Sequence, residues 1–264
     1  MKYTRRAALV GLCLLVLACL SACTQDRSRA YDKALKLFSS EDYAGAATAF
    51  DRLDSYAESA TYAAYSHGLV LYEQGQYAAA EPYFGSCRSF MYGEQRYQYC
   101  HAHSLMQAGQ WADAGQTFAA AGEFEDAPVQ AQYCLARDAE ERKEYEAALF
   151  GYEASLGLHD AAERLYNLQG QLYNRAIALK GEQRYEDAMV LFNLLGDYLS
   201  SVDQAVECNN AWLDQRYEAA DALEAQGDLQ GAFDLFLSLS SYRDAAARAE
   251  ELAAKLGIEI EAAD

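Results

Sequence analysis

One short phrase recurs along the chain at nearly regular intervals. It consists of an aromatic residue, an alanine three positions later and a second aromatic four positions after that. Successive copies begin 34, 34, 34, 40 and 44 residues apart, and the sixth has leucine in the first place. The first positions are Tyr43, Tyr77, Trp111, Tyr145, Tyr185 and Leu229. A period of this length is typical of stacked supersecondary units rather than of one globular core.

A second set of three residues is repeated upstream of each copy. A tyrosine stands twelve residues before the first aromatic, an alanine or glycine follows three residues after it, and leucine follows three later in five of the six copies. The tyrosines are Tyr31, Tyr65, Tyr99, Tyr133, Tyr173 and Tyr217. Steps of three place these residues on one helical face. Each repeat is therefore predicted to be two antiparallel helices whose small residues allow close approach.

The longer intervals and the end of the repeats also carry predictions. Segment 199–226 lacks proline and glycine, which favours one lengthened helix over a loop. Segment 242–256 follows the last copy and is predicted to be a capping helix, with residues 257–264 as a tail. Acids such as Asp126 and Asp244 recur at the repeat junctions, where a carboxylate complements the positive end of the next helix.

The period and the alanine–phenylalanine pair resemble the tetratricopeptide repeat over residues 27–256. The resemblance implies an all-α fold, a right-handed α-solenoid of about six hairpins plus the capping helix. It also implies a concave groove lined by first helices, with the six tyrosines as candidate contacts to a partner. The alternative is that the tyrosines pack between helices. The Trp-x-x-Leu-Gly start and the closing proline of that family are absent. The resemblance therefore does not imply a particular angle between neighbouring repeats.

The start of the chain has the composition of an export signal. Lys2, Arg5 and Arg6 precede 14 apolar residues. This run is too short to span a bilayer core, which requires a helix of about 20 apolar residues. The stretch Leu-Ser-Ala-Cys that ends at Cys23 resembles the lipobox of bacterial lipoproteins. That resemblance implies removal of residues 1–22, acylation of Cys23, with palmitate among the lipids, and a short tether over 23–26. The protein would then lie on the extracytoplasmic face of the cell membrane. The alternative is a plain secretory signal.

Net charge restricts the partner. The chain carries −19, and the leader holds three basic and no acidic residues, so the remainder carries −22. This balance argues against nucleic acid, which requires clustered lysine and arginine. It favours a basic or neutral partner, bound through steering that salt would screen. Arg27, Arg29, Lys33 and Lys36 form a local exception that is either drawn to anionic head groups or an ordinary solvated face.

Candidate chemistry is sparse. Cys87, Cys100, Cys134 and Cys208 have no zinc or Cys-x-x-Cys spacing, and three of them share one repeat position that favours a buried free thiol. His101 and His103 are two residues apart and would not share a helix face, which argues against a metal site. The sequence contains no phosphate-binding loop or nucleophile elbow. We therefore predict no catalytic residue, no metal and no cofactor.

These observations predict a membrane-anchored scaffold, not an enzyme, that binds a protein or peptide in a tyrosine-lined groove. Two alternatives stay open. One is a subunit of a cell-envelope assembly machine, and the other is an accessory binder of cell-wall glycan, on which tyrosines would stack. A repeat array fixes a surface and not a ligand.

Overall fold

The computed structural model describes residues 25–239 and 241–259, and within these ranges the fold is all-α without strands. This confirms the predicted all-α class. The helices are α1 (25–39), α2 (Tyr43–Asp51), α3 (Ser59–Glu73), α4 (Tyr77–Ser86), α5 (Gly93–Gln107), α6 (Trp111–Ala120), α7 (Ala127–Glu141), α8 (Tyr145–Ala154), α9 (Ala161–Gly181), α10 (Tyr185–Leu195), α11 (Ser201–Gln226), α12 (Leu229–Ser238) and α13 (Ala245–Leu256). Cys23 and the predicted leader lie outside the described residues, as do residues 260–264.

Each repeat is a pair of helices, as predicted, and the first helix of the pair is the longer one. The odd-numbered helices α3, α5 and α7 have 15 residues each, and the even-numbered helices α4, α6 and α8 have 10. Helix α9 is extended to 21 residues and α11 to 26. The wider intervals between copies are therefore absorbed as additional helical turns, and the predicted lengthened helix over 199–226 is confirmed as α11.

Every turn between helices contains a residue with positive φ. Gly75, Gly109 and Gly227 hold the turn after α3, α5 and α11, with φ between 70° and 86°. In the turns after the even-numbered helices, where Gly122, Gly157 and Gly196 also have positive φ, a non-glycine residue has φ between 47° and 52° in all six. These six residues are Ala57, Met91, Glu125, His159, Leu199 and Arg243. Non-glycine residues seldom adopt this conformation. The same backbone turn thus recurs with six different side chains.

Small residues let the two helices of a hairpin approach each other. The alanine of the repeated phrase is fully buried in all six copies. These alanines are Ala46, Ala80, Ala114, Ala148, Ala188 and Ala232. A Cβ added to Gly68 would lie 2.8 Å from the Phe84 ring, and one added to Gly151 would lie 2.8 Å from Cβ of Ala136. Contacts this close leave no room for larger side chains at the hairpin centres.

The chain divides into two compact units between Ala162 and Glu163. In unit 1, consecutive helices from α2 to α8 pack against one another, α7 on α8 being the last such pair, and α1 packs on α2 through Ala34, Ala46 and Phe50. In unit 2, α10 through α13 also pack consecutively. Each unit is built on a row of buried aromatic rings from the even-numbered helices, including Phe84 and Phe118 in unit 1 and Phe192 and Phe236 in unit 2.

Helix α13 covers the α11–α12 hairpin of unit 2, as predicted for the segment after the last copy. Leu252 and Ala253 are buried against this hairpin. Arg248 donates to a carboxylate oxygen of Glu224 and lies 4.7 Å from the centre of the Phe236 ring. Arg248 therefore belongs partly to the packed face of α13, whereas Glu250 and Glu251 are exposed.

Candidate functional site: the tyrosine row and the junction row

The six predicted tyrosines, here called the tyrosine row, lie in helix contacts. Tyr65, Tyr99, Tyr133 and Tyr217 are 2–8% exposed, and Tyr31 and Tyr173 are half-buried. Each ring packs on the second aromatic of its own hairpin, with centroids 5.3 to 6.3 Å apart. Five of these pairs are edge-to-face, the arrangement that aromatic quadrupoles favour. The rings thus occupy packing positions, and their assignment as ligand contacts stays a prediction.

The hydroxyls of the tyrosine row reach the start of the next odd-numbered helix. Tyr99 donates to Asp126 with 2.6 Å between the oxygens, Tyr133 donates to Asp160, and Tyr217 donates to Asp244. Each carboxylate belongs to the residue that immediately precedes a helix, and each stands 27 residues after its tyrosine. Tyr173 shares a 2.8 Å hydrogen bond with Ser200, again 27 residues later. One side-chain bond therefore ties each of these hairpins to the helix that follows.

The junction acids stand directly before the next helix, and their side-chain bonds add a role that the sequence analysis did not predict. Asp126 and Asp244 precede α7 and α13, but neither side chain caps its helix by a hydrogen bond. Their carboxylates accept the tyrosine hydroxyl instead. The hydroxyl of Tyr217 holds the pKa of Asp244 below its usual range, and the same bond, with burial, raises the pKa of Tyr217. A fixed tyrosine-to-acid spacing of 27 residues was present in the sequence and would have predicted this bond.

At one junction Tyr92 stands in the place of the acid, and an arginine four residues later bonds the tyrosine. Arg96 donates to the Tyr65 hydroxyl at 2.8 Å, and its guanidinium lies 5.4 to 5.8 Å from the ring centres of Tyr72, Tyr92 and Phe124. Aromatic faces attract a guanidinium in this arrangement. Burial, followed by the Glu125 carboxylate, raises the pKa of Tyr72. This cluster joins α3, α5 and the turn before α7, and no single sequence motif indicates it.

The non-glycine turn residues form a second set, here called the junction row: Ala57, Met91, Glu125, His159, Leu199 and Arg243. All six are exposed, with Met91 at 54% and Leu199 at 69%. Each lies directly before the residue that stands 27 positions after a tyrosine of the tyrosine row. The backbone of this edge is constant, but its side chains include apolar, acidic and basic groups. The junction row is therefore the part of the repeat that varies on a fixed frame.

The histidines are directed to opposite environments. His101 lies 2.9 Å from a carboxylate oxygen of Glu81, whereas His103 is buried and stacks on Tyr77 with ring centres 4.1 Å apart. Burial lowers the pKa of His103 to about 4, so its imidazole is neutral at physiological pH. No group of acids, cysteines and histidines positioned to hold a metal ion occurs among the described residues.

The four cysteines among the described residues, Cys87, Cys100, Cys134 and Cys208, are buried free thiols. Burial raises the pKa of Cys87 to about 11 and that of Cys100 and Cys134 to about 12. Burial also raises the pKa of Cys208. A thiol with so high a pKa is a poor nucleophile at neutral pH, because the thiolate is the reactive form. These positions thus act as small apolar residues in the hairpin contacts.

Comparison with known proteins adds no relative to these observations. No family model matches the chain, and no curated protein sequence matches it. Across residues 25–239 and 241–259, none of the helices combines the length and the apolar character that a membrane span requires.

Proposed function

We propose that the chain is a lipid-anchored scaffold on the extracytoplasmic face of the cell membrane, where it binds a protein or peptide partner. In this proposal the hairpins form a right-handed solenoid similar to tetratricopeptide-repeat arrays, and Cys23 carries the lipid. The Leu-Ser-Ala-Cys stretch after a short apolar run supports the anchor. The all-α hairpin architecture supports the scaffold.

The observation that carries the binding proposal is the contrast between the two rows. The tyrosine row repeats almost without change and is used for packing. The junction row presents different exposed side chains at equivalent positions, including Met91, Glu125 and His159 in unit 1. A surface that serves only the fold has no need for variety, whereas recognition of one partner requires a particular order of side chains. We therefore assign partner contact first to the junction row and to the acidic surface around it.

Charge indicates the class of partner. Residues 54–259 contain 33 acidic and 13 basic residues, so an acidic peptide would be repelled. A basic or neutral segment would be attracted, with an electrostatic contribution that falls as salt screens it over about 8 Å at physiological ionic strength. The exposed apolar side chains of Met91 and Tyr92, at 54% and 62%, provide contact area that salt does not weaken.

Affinity capture from detergent-solubilised membranes tests the binding proposal. We expect a protein to be retained by the chain, to be released partly by salt, and to be lost when Met91→Ser is combined with Glu125→Gln. The matched control is Lys143→Gln, which changes an exposed residue with positive φ in the turn after α7 rather than in the junction row. Retention of isolated cell-wall glycan in place of protein would favour the glycan binder. Equal capture by both variants would contradict a role for the junction row.

Cell fractionation tests the anchor separately. Cys23→Ser should leave the protein unprocessed at full length or release it from membranes, because acyl chains on that residue provide the attachment. A variant that is recovered with membranes at the processed mass would contradict lipidation at Cys23.

A further inference from the structure

The first hairpin differs from the rest of the molecule in charge. Residues 25–53 contain five basic and five acidic residues, whereas residues 54–259 carry a net charge of −20. Three of the five basic side chains, Arg27, Lys33 and Arg52, line an open groove of about 800 Å³ between α1 and α2, and the only acid that lines it is Asp26. An excess of positive charge therefore lies at one place on a strongly acidic protein.

The groove has an apolar floor and a basic rim. Leu37, Ala49 and Leu53 form part of the floor, and Leu53 is buried. Arg27 is held on the rim by a 2.8 Å hydrogen bond to the carbonyl oxygen of Leu53. Lys33 and Arg52 are exposed, and neither is ion-paired within the part of the chain that the structure describes. These two cations are available to an anionic occupant.

In the next two hairpins the residue at the position of Lys33 is a histidine beside a carboxylate. His67 stands 34 residues after Lys33, and its Nε2 lies 2.9 Å from a carboxylate oxygen of Asp51 on α2. His101 stands a further 34 residues on, and its Nδ1 lies 2.9 Å from a carboxylate oxygen of Glu81 on α4. In both copies this position meets an acidic group of the preceding helix. In the first hairpin Lys33 lines the groove, and no described residue forms an ion pair with it.

We propose that the groove between α1 and α2 docks on an anionic phospholipid bilayer, with lipid phosphates taking the place of that acid. The proposal rests on the anchoring at Cys23 proposed above. Cys23 and Asp26 are three residue steps apart, a distance of at most about 11 Å, so lipid on Cys23 would keep the groove at the head-group layer. Each cation held at an anionic surface strengthens membrane partition about fivefold. The docked hairpin sets how the acidic remainder is presented to a partner.

The test supplies the lipid chemically. The chain from Cys23 onward is coupled through the Cys23 thiol to a maleimide lipid, since the other four cysteines are buried. It is then placed on vesicles of phosphatidylcholine alone or with phosphatidylglycerol. Acetylation of individual lysines is followed by mass spectrometry. We expect Lys33 to react about fivefold more slowly when phosphatidylglycerol is present, while exposed Lys143 in the turn after α7 reacts at the same rate on both.

Two pairs of variants test whether the protection depends on the cations of the groove or on the positive charge of the hairpin in general. Arg27→Gln with Arg52→Gln should abolish the protection of Lys33. The matched pair Arg29→Gln with Lys36→Gln removes two charges from α1 that do not line the groove and should preserve it. Equal reactivity of Lys33 on both vesicles would overturn the proposal. Protection of Lys33 by inorganic phosphate on neutral vesicles, or by an added acidic peptide, would also overturn it. Protection that occurs only at high protein density would overturn it too, because it would identify a second copy of the chain as the occupant.

Because the anchor is attached chemically, a negative result concerns the groove alone. Failure of the anchoring proposal would appear instead in the cell fractionation of Cys23→Ser.

Discussion

Unit 1 repeats its hairpins at a constant interval, whereas unit 2 contains α11 and most of α9, which are 26 and 21 residues long. The extra residues lie upstream of Tyr173 and Tyr217 in these two helices. Both tyrosines still bond a residue 27 positions later, as Tyr99 and Tyr133 do in unit 1. The comparison shows that the distance from a tyrosine to the next helix is fixed, while the part of the helix before the tyrosine can vary.

Both units should depend equally on their central rings. Phe118→Ala in unit 1 and Phe192→Ala in unit 2 each empty a fully buried site and should cost about 3–5 kcal/mol of unfolding free energy. Each unit contains one tryptophan, Trp111 or Trp212, whose fluorescence reports denaturant unfolding. Phe→Leu at the same sites is the control and should cost less. A loss below about 1 kcal/mol in either unit would show that its hairpins do not share the packing described.

Acid should distinguish the units, because all four histidines lie in unit 1. Burial lowers the pKa of His103 from 6.5 to about 4 in the folded state. Between these values the unfolded chain binds a proton that the folded chain does not. Stability is therefore lost as pH falls from about 6.5 to 4, by on the order of 3 kcal/mol, and this loss is complete below the folded pKa.

The variant His103→Phe should remove this dependence, since the ring is already surrounded by Tyr77, Tyr99 and Phe118. The control is His67→Gln, which alters a more exposed imidazole and should keep it. Unfolding followed at Trp111 over this pH range provides the measurement. A stability of unit 1 that is the same at pH 6.5 and pH 4 would contradict the buried neutral histidine.

The smallest expected difference concerns the hydroxyls. Tyr133→Phe removes a bond to the carboxylate of Asp160 and should cost about 1–2 kcal/mol, because hydrogen bonds to charged groups are the stronger ones. Tyr173→Phe removes a neutral, exposed bond to Ser200 and should cost about 0.5 kcal/mol. Thermal unfolding of both variants measures the difference. The reverse order would mean that the carboxylate is better hydrated than bonded.

The sequence predicted the framework well because the framework is periodic. The alternation of helices, the lengthened α11, the helix after the last copy and the buried alanines all follow from residue spacing. The junction chemistry did not follow. A left-handed backbone at Ala57, Met91 or Leu199 has no sequence signal, since these residue types do not favour it. The Arg96 cluster was not predicted because its partners come from three separate segments.

The candidate site was predicted only in part. The spacing identified the tyrosine row but left open whether it packs or binds, and the contacts in the structure are those of packing. The junction row was not identified, because variable residues at a repeated position appear in a sequence only as breaks in the pattern. The groove of the first hairpin required the structure as well, since Arg52 belongs to a different helix from Arg27 and Lys33.

The bond between each tyrosine and the next helix has a consequence for how a gene of this kind changes length. In four of the six copies the two partners stand at the same place, so a crossover between two of these junctions would join a tyrosine from one copy to the helix start of another. Whole hairpins can then be gained or lost by recombination while the bond between the tyrosine and the next helix is preserved at the new junction. A deletion with its endpoints at unequal places in two copies would break that match at once.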